Sequence, residues 1–281
     1  MTVGEVLRRA TQYLAAKGVD SPRLDAELLL AKALDRSRLE LYMEHGRELD
    51  RDELITYRAL TARRGRREPL AYILGEWGFR RLTVRVDRRA LVPRPETEVV
   101  VERCLELLDE IPEPEVLDVG TGSGAIALAL ADEHPGVRVC AIDSSREALE
   151  LASENVAGTE LGDRVRLVEH DLYSGFGSEG EFHLVVSNPP YVAPEELETL
   201  QPEVRDWEPR RALVAEGAHE AVARAAREAL RPGGWIVLET GDEQAPRVAE
   251  VLGELGYAEI RITPDLTGRE RVVEGRSPQT A

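Results

Sequence analysis

The chain has 281 residues, of which 42% are hydrophobic and 32% charged, a balance typical of a globular protein with one or two domains. Its 36 basic and 53 acidic side chains give a net charge of −17, which disfavours a general nucleic-acid binder because duplex binding depends on neutralising phosphates. No run of about 18 apolar residues is present and the N-terminal residues lack an apolar signal core, so neither a transmembrane helix nor secretion is expected.

The first 74 residues predict a small helical bundle. Apolar residues recur at helical spacing from the N-terminus, and Ser21 followed by Pro22 is typical of the start of a second helix. A third helix is predicted over residues 38–44. Asp50 and Glu53 have the spacing of a capping box and predict the start of a fourth helix.

Residues 75–92 predict a β-hairpin that links two domains. Phe79, Leu82 and Val84 lean toward the alternation of a strand, and residues 87–89 are predicted to form the turn into a second strand at 90–92. Pro95 then opens a helix that is predicted to run to about Leu108.

From residue 115 onward, strands and helices alternate. The predicted strands are 116–119, 137–142, 165–168, 184–187, 235–240 and 258–263, and the predicted helices are 125–133, 145–156, 218–230 and 244–255. Such alternation indicates parallel βαβ units in a doubly wound sheet of the α/β class. We therefore predict a helical domain over 1–74, a hairpin linker over 75–92 and a Rossmann-like domain over 93–281.

Charge is distributed unevenly along the chain. Residues 58–94 contain eleven arginines and three acidic residues, a net charge of +8 that leaves −25 on the rest of the chain. Because this basic segment spans the predicted junction of the two domains, one hypothesis is that it faces a protein substrate. The alternative for residues 63–67 is that these arginines lie exposed to solvent at the end of a helix and do not bind a partner.

Residues 116–124 have the pattern of a buried strand that runs into a glycine-rich turn and an alanine-rich helix. The glycines allow a left-handed turn and the close approach of a ligand, but their G-x-G-x-G spacing differs from the G-x-G-x-x-G of dinucleotide folds. The carboxylate before the turn suits a cationic amino-acid group better than a pyrophosphate. The predicted cofactor-binding residues here are Asp118, Gly120, Thr121, Gly122, Ser123 and Gly124.

Acidic residues also follow the next two predicted strands. Asp143 ends one strand, at a position where an acid in a doubly wound fold binds ribose hydroxyls. Asp171 and Leu172 follow the next strand, where residues flank an adenine. With Asp118 they resemble the cofactor pocket of class I S-adenosylmethionine methyltransferases, and the resemblance implies that cofactor. A glycine turn in an unrelated α/β protein is the alternative for the glycine motif alone.

A second motif, Asn188-Pro189-Pro190-Tyr191, follows the fourth predicted strand, at the sheet edge where ligands bind. A planar amide or aromatic amine is a weak nucleophile because its lone pair is delocalised. The Asn188 side-chain oxygen and the Pro189 carbonyl could accept its two N–H groups, and Tyr191 is expected to pack against the planar group. The alternative is a structural Pro-Pro turn with Asn188 as its cap.

The motif resembles that of methyltransferases acting on planar nitrogens, which include DNA adenine enzymes and glutamine-amide enzymes. Residues 71–75, 91–98, 231–235 and 239–244 extend the resemblance along nearly the whole chain and make it specific for the release factor glutamine methyltransferase (PrmC/HemK) family. This implies methyl transfer to the side-chain amide nitrogen of the glutamine in the Gly-Gly-Gln motif of class 1 peptide chain release factors.

The resemblance also assigns site residues. The substrate motif carries over to Asn188, Pro189, Pro190 and Tyr191, and the cofactor-binding residues carry over to residues 120–124 and Asp143, with Asn188 counted in both sets. One departure is Leu172, where some family members have an aromatic residue against adenine, while this chain has Tyr173 next. Either Leu172 or Tyr173 is therefore the candidate for that contact.

Two other functions remain as alternatives. A DNA or RNA adenine methyltransferase is disfavoured by the charge of −17 and by the lack of a sizeable target-recognition insertion. A non-catalytic Rossmann-type nucleotide-binding module is disfavoured by the glycine spacing and by the motif at 188–191. We expect a cytoplasmic monomer with no metal site, no membrane contact and no stable nucleic-acid binding, since its two cysteines fit a reducing compartment.

Overall fold

A computed structural model describes residues 1–176 and 182–278 of the chain. The chain divides into two compact units. The first unit comprises Met1–Glu76 and Leu200–Trp207, and the second comprises Trp77–Thr199 and Glu208–Ala281. The structure thus includes most of the hairpin in the second unit. It also adds to the first unit a short segment, 200–207, that lies far away in the sequence.

The N-terminal part of the first unit is helical, as the sequence predicts. Its helices are α1 (Val3–Ala16), α2 (Pro22–Leu34), α3 (Arg38–Met43), α4 (Arg51–Gly65) and α5 (Leu70–Leu74). The capping box of Asp50 and Glu53 is present at the start of α4, whereas Ser21 occupies the N-cap position of α2 without a side-chain hydrogen bond. The apolar faces of these helices form a common core around Leu14, Leu29 and Leu30, which are fully buried.

A buried ion-pair cluster lies beside this core. Arg64 is 7% exposed, and its guanidinium lies 2.6 Å from an oxygen of Asp25 and 2.7 Å from an oxygen of Glu203. Arg67 pairs with the other oxygen of Glu203 at 2.6 Å, and its Nη1 donates to the carbonyl of Gly18. Glu203 belongs to the segment 200–207, so these contacts join that segment to the rest of the first unit.

Most arginines of the basic segment pair with carboxylates of their own unit, which largely neutralises its positive charge, and contact with a protein substrate stays a hypothesis. Arg63, Arg64 and Arg67 pair with carboxylates inside the first unit, whereas the side chain of Arg66 is exposed and forms no salt bridge with a carboxylate of the described residues. In the second unit, arginines of the same segment pair with acids far along the chain. Those pairs are Arg80 and Arg81 with Glu133, Arg85 and Arg89 with Glu154, and Arg94 with Glu208.

The second unit contains the hairpin and a seven-stranded sheet. The hairpin strands are β1 (Glu76–Phe79) and β2 (Leu82–Arg85), and the sheet strands are β3 (Glu115–Val119), β4 (Arg138–Asp143), β5 (Val165–Glu169), β6 (Phe182–Ser187), β7 (Leu230–Glu239), β8 (Ala258–Pro264) and β9 (Glu270–Arg276). The helices of the second unit are α6 (Pro95–Leu108), α7 (Ala125–Glu133), α8 (Arg146–Ala157), α10 (Arg210–Leu213), α11 (Ala218–Ala229) and α12 (Ala245–Glu254). Helix α9 (Pro202–Trp207) lies between α8 and α10 in the chain but belongs to the first unit.

The strand order of the sheet is β5-β4-β3-β6-β7-β9-β8, which confirms the doubly wound α/β class. Strands β3 to β7 are parallel, whereas β9, which was not predicted from the sequence, is antiparallel to both of its neighbours. The sheet core includes the fully buried Val185, Ile236 and Leu238. None of the described helices is both long and apolar enough to cross a membrane.

The hairpin turn lies earlier than predicted. The chain reverses at Arg80 and Arg81, and residues 87–92 form no strand. Arg80 has a φ of 53°, a left-handed conformation that few non-glycine residues adopt. Its backbone N–H donates to Glu98 and its guanidinium to Glu133, so tertiary contacts hold a turn that has no glycine or asparagine signal.

We predict that Arg64→Ala lowers the free energy of unfolding by about 3 kcal/mol, because it leaves Asp25 and Glu203 without the cation they share in a buried site. Urea unfolding followed by circular dichroism measures the change. Arg66→Ala is the matched control, since the Arg66 side chain is exposed. Equal stabilities of the two variants would contradict the role of the buried cluster.

Candidate active site at the carboxyl edge of the sheet

The strand register brings the first residues of the loops that follow four strands to one edge of the sheet. Val119 pairs with Ile142 on one side and with Ser187 on the other, and Ser187 in turn pairs with Leu238. The residues that come next along these strands, Gly120, Asp143, Asn188 and Glu239, therefore lie side by side. This carboxyl edge is where doubly wound sheets bind their ligands.

The glycine-rich turn has the left-handed conformation that its composition predicts. Gly120, Gly122 and Gly124 have φ values of 75°, 57° and 81°. The backbone N–H groups of Gly120 and Thr121 both donate to the carbonyl of Ile142 at 2.9 Å. The end of β4 thus holds the turn that follows β3, and the backbone of the turn is open to a ligand.

Asp143 closes the same turn from the neighbouring strand. Its Oδ2 accepts from the Gly122 N–H at 2.9 Å and its Oδ1 from the Ser145 N–H at 2.8 Å. Burial raises the pKa of Asp143, while these two backbone bonds lower it. Because a carboxylate has further lone pairs, Asp143 can hold the turn and still accept from ligand hydroxyls.

One cavity collects most of the predicted site residues. Its walls include Gly120, Thr121, Gly122, Ser123, Asp143, Leu172, Asn188 and Pro190. Five residues predicted for the site do not line it, namely Asp118, Gly124, Asp171, Pro189 and Tyr191. The cavity is also lined by residues that were not predicted for the site, namely Thr97, Ala148, His170 and Arg211.

Asp118 lies beneath the glycine turn rather than on the cavity wall. Its side chain is fully buried, Oδ2 accepts from the Thr121 hydroxyl at 2.6 Å, and Oδ1 has no hydrogen-bond partner among the described residues. Burial raises the pKa of Asp118 to about 7. In this structure, the carboxylate braces the turn through Thr121.

The chain after β5 distinguishes the two candidates for an adenine contact. Leu172 lines the cavity, whereas Tyr173 is 55% exposed and its hydroxyl donates to the carbonyl of Glu216. Asp171 is exposed, and its Oδ1 accepts from the Tyr173 N–H at 3.0 Å. Asp171 therefore caps the short 3₁₀ turn at Leu172–Ser174, and Leu172 is the one of the two candidates that lines the cavity.

The loop at 188–191 is held by the elements around it. Ser187 donates through its hydroxyl to the Val119 carbonyl, and Asn188 donates through Nδ2 to the Thr97 hydroxyl at 3.3 Å. The Tyr191 carbonyl accepts from Nε2 of Gln244, and its ring stacks on His219 at a centroid distance of 6.3 Å. The Tyr191 ring thus fixes the loop instead of lining the cavity.

Asn155 supports the site without touching the cavity. Its Nδ2 donates to the carbonyls of Ser123 and Arg85, and its Oδ1 accepts from the Arg85 N–H at 2.7 Å. These bonds join the glycine turn, α8 and strand β2. A buried asparagine on an amphipathic helix is the only sequence signal for this role, and it does not identify the partners.

The cavity fits an adenosine-containing cofactor. Its walls combine the carboxylate of Asp143 with the apolar side chains of Ile142, Ala148 and Leu172. A carboxylate suits ribose hydroxyls, and apolar walls suit the flat faces of an adenine. The open backbone of the glycine turn and the exposed part of Asn188 complete a site for a bulky polar ligand.

Comparisons with known proteins identify both parts of the chain. A family model for the PrmC N-terminal domain matches residues 5–75, and a model for the methyltransferase small domain matches residues 101–259. A release factor glutamine methyltransferase of Deinococcus radiodurans is 44% identical over 98% of this chain and 99% of its own length. One of Geobacter sulfurreducens is 42% identical over 98% and 96%.

The chain belongs to the release factor glutamine methyltransferase family. A Fusobacterium nucleatum member is 35% identical over 96% of this chain and 77% of its own length. Family membership agrees with the glycine-rich turn at 120–124, with the motif at 188–191 and with the helical N-terminal part. The chain is therefore an S-adenosylmethionine-dependent methyltransferase.

Solved structures confirm the fold of the second unit. The hMettl16 catalytic domain matches with a TM-score of 0.57 and 16% identity, covering 70% of this chain and 76% of that one. A T. thermophilus 16S rRNA methyltransferase, solved with AdoMet and guanosine, matches with a TM-score of 0.52 and 20% identity over 72% and 50%. At these identities the likeness shows the Rossmann-like methyltransferase fold alone.

We predict that Asp118→Asn flattens the pH dependence of stability. The folded pKa of about 7 lies above the ordinary value of 3.8, so the folded state binds a proton more tightly and loses stability as pH rises toward 7. Asparagine cannot titrate, so the fall in unfolding free energy between pH 5 and pH 8 should shrink by about 2–3 kcal/mol. Urea unfolding at both pH values measures it, and an unchanged difference would contradict the raised pKa.

Proposed function

We propose that this chain transfers a methyl group from S-adenosylmethionine to the side-chain amide nitrogen of the glutamine in the Gly-Gly-Gln motif of class 1 release factors. The observation that carries the proposal is the shared cavity, in which the glycine turn and Asn188 of the Asn-Pro-Pro-Tyr motif meet. Relatives over the full length of the chain carry the name of this activity.

S-adenosylmethionine supplies, when bound, an electrophilic methyl group on a sulfonium. Asp143 would hold ribose hydroxyls, since its carboxylate is fixed at the end of β4 by two backbone N–H groups. Leu172 would pack on the adenine, and the open backbone of residues 120–123 would accommodate the amino-acid part. Each of these residues acts by binding and orientation.

Asn188 would orient the glutamine amide. Its Nδ2 is already engaged with Thr97, so its Oδ1 remains to accept one N–H of the substrate amide. The carbonyl of Pro189 is the second proposed acceptor. Holding both N–H groups fixes the amide plane and favours the positive charge that develops on nitrogen during transfer. The proton leaves after transfer, so no strong general base is required.

Three properties of the protein in the cell complete the proposal. We infer a cytoplasmic monomer that has no stable affinity for nucleic acid. The net charge of −17 supports the last point, because phosphate neutralisation requires a positive surface. Methylation of adenine in DNA or RNA is the competing activity that an experiment has to exclude.

The decisive experiment is incubation of the enzyme with labelled S-adenosylmethionine and a recombinant class 1 release factor. Label should enter the wild-type release factor and not a version with Gly-Gly-Ala in place of Gly-Gly-Gln. Duplex DNA and an unstructured RNA are the competing substrates. Label on either nucleic acid, or equal label on the Gly-Gly-Ala protein, would overturn the proposed function.

We predict that Asn188→Ala lowers kcat at least about 100-fold while the Kd for S-adenosylmethionine changes by less than about threefold, because Asn188 acts on the substrate amide. Single-turnover assays and isothermal titration calorimetry measure the two quantities. A parallel loss of cofactor affinity would assign Asn188 to the cofactor.

Asp143→Asn should raise the Kd for S-adenosylmethionine by about tenfold, because an amide is a weaker acceptor for ribose hydroxyls than a carboxylate. Asparagine retains an acceptor for one of the two backbone N–H groups, those of Gly122 and Ser145, so the turn is disturbed less than by alanine. Asp163→Asn is the control, since Asp163 is exposed and does not line the cavity. Equal Kd values for both variants would remove Asp143 from the cofactor site.

A further inference from the structure

A buried carboxylate with no role in the chemistry above lies beside Asn188. Glu239 follows Leu238, which pairs with Ser187, so the strand register places Glu239 next to Asn188. Glu239 is 1% exposed and its Oε2 has no hydrogen-bond partner among the described residues. A buried carboxylate without a salt-bridge partner lowers the stability of the fold, which indicates that Glu239 has a role other than stabilisation.

Thr97 connects Glu239 to the substrate motif. Thr97 lies in the first turn of α6, where its side chain is buried and lines the cavity. The Thr97 hydroxyl is a hydrogen-bonding group that lowers the pKa of Glu239, and it accepts from Nδ2 of Asn188 at 3.3 Å. Side chains from β7, α6 and the end of β6 thus lie in the order Glu239, Thr97, Asn188, and the Thr97 hydroxyl can link the other two.

The direction of these bonds follows from the donor inventory. A threonine hydroxyl has one proton, and an ionised carboxylate only accepts, so the Thr97 proton points to Glu239. The hydroxyl then presents lone pairs to Asn188. Only the NH₂ end of the Asn188 amide can use them, so Nδ2 faces Thr97 and Oδ1 stays available to the substrate.

We propose that Glu239 and Thr97 are positioning residues that fix the orientation of the Asn188 side-chain amide, with the Thr97 hydroxyl as the relay. This inference rests on the proposed role of Asn188. An asparagine amide is nearly symmetric in shape, so packing alone cannot distinguish its two ends. A flipped Asn188 would present N–H groups to the N–H groups of glutamine and lose the acceptor that transfer needs.

The relay makes kcat sensitive to the protonation of Glu239. Burial, with a smaller contribution from Glu96, raises the pKa of Glu239 to about 7, while the Thr97 hydroxyl, Arg271 and Arg94 oppose the rise. Two further titratable side chains lie against Glu239: Tyr191, and His219, which hydrogen-bonds to the Glu239 backbone carbonyl at 2.8 Å. A protonated Glu239 can donate to Thr97, which frees the Thr97 proton to bind Oδ1 of Asn188.

The test compares Glu239→Gln, Thr97→Val and Thr97→Ser with the wild-type enzyme, using a release factor as substrate. Valine removes the Thr97 hydroxyl. Glutamine removes the negative charge and can turn its NH₂ group toward Thr97, so it no longer fixes the direction of the Thr97 proton. In both variants kcat should fall about 10- to 100-fold while the Kd for S-adenosylmethionine changes by less than about twofold. Serine keeps the hydroxyl, so Thr97→Ser should retain most of kcat. The wild-type kcat should decline below pH 7, and Glu239→Gln should lack that decline.

Glu274→Gln is the matched control. Glu274 is as buried as Glu239 and lies in the same sheet, but it pairs with Arg103 and its register partner is Val237, away from the strand ends that carry Asn188 and Glu239. Its variant should lose thermal stability without a loss of kcat. If Glu239→Gln lowers kcat only as much as Glu274→Gln does at an equal loss of stability, Glu239 is structural and the proposal fails.

The outcomes also separate this proposal from the proposed function. Full kcat in Glu239→Gln and Thr97→Val, with an inactive Asn188→Ala, overturns the relay and leaves the function standing. An active Asn188→Ala, or label on the Gly-Gly-Ala release factor, overturns the proposed function itself. A Thr97→Ser variant as impaired as Thr97→Val also contradicts the relay, because the hydroxyl is then not the group that matters.

Discussion

The site depends on the pairing register of three parallel strands. Because Val119 lies beside Ser187 and Ser187 beside Leu238, the chain leaves β3, β6 and β7 at the same height. A shift by one residue would turn every side chain of the shifted strand to the opposite face of the sheet. The glycine turn, the Asn-Pro-Pro-Tyr loop and Glu239 would then no longer meet.

Two buried acids at this edge have a common arrangement. Asp118 and Glu239 are both out of contact with solvent, and each has one carboxylate oxygen without a partner. Each also has a threonine hydroxyl as its hydrogen-bonding group: Thr121 donates to Asp118 at 2.6 Å, and Thr97 lowers the pKa of Glu239. The strands thus place two carboxyl groups behind a cavity that is expected to receive a sulfonium and a developing ammonium, and in their ionised forms such groups favour the positive charge of the reaction.

Local sequence predicted the parts of the site that are contiguous. The glycine turn and residues 188–191 each follow a strand, so composition and position were enough to find them. Thr97 and Glu239 come from elements about 140 residues apart and meet only through the sheet register, which no local pattern contains. The partners of the arginines could not be predicted for the same reason. Counting charges along 58–94 does not reveal that Glu133, Glu154, Glu203 and Glu208 neutralise these arginines.

Segment 200–207 has a consequence for synthesis on the ribosome. It belongs to the first unit, yet the chain reaches it only after strands β3 to β6 have been made. A nascent helical unit therefore buries Arg64 with Asp25 alone until Glu203 emerges. Domains usually fold in turn from the N-terminus, but here the first unit completes its structure late, during the synthesis of the second.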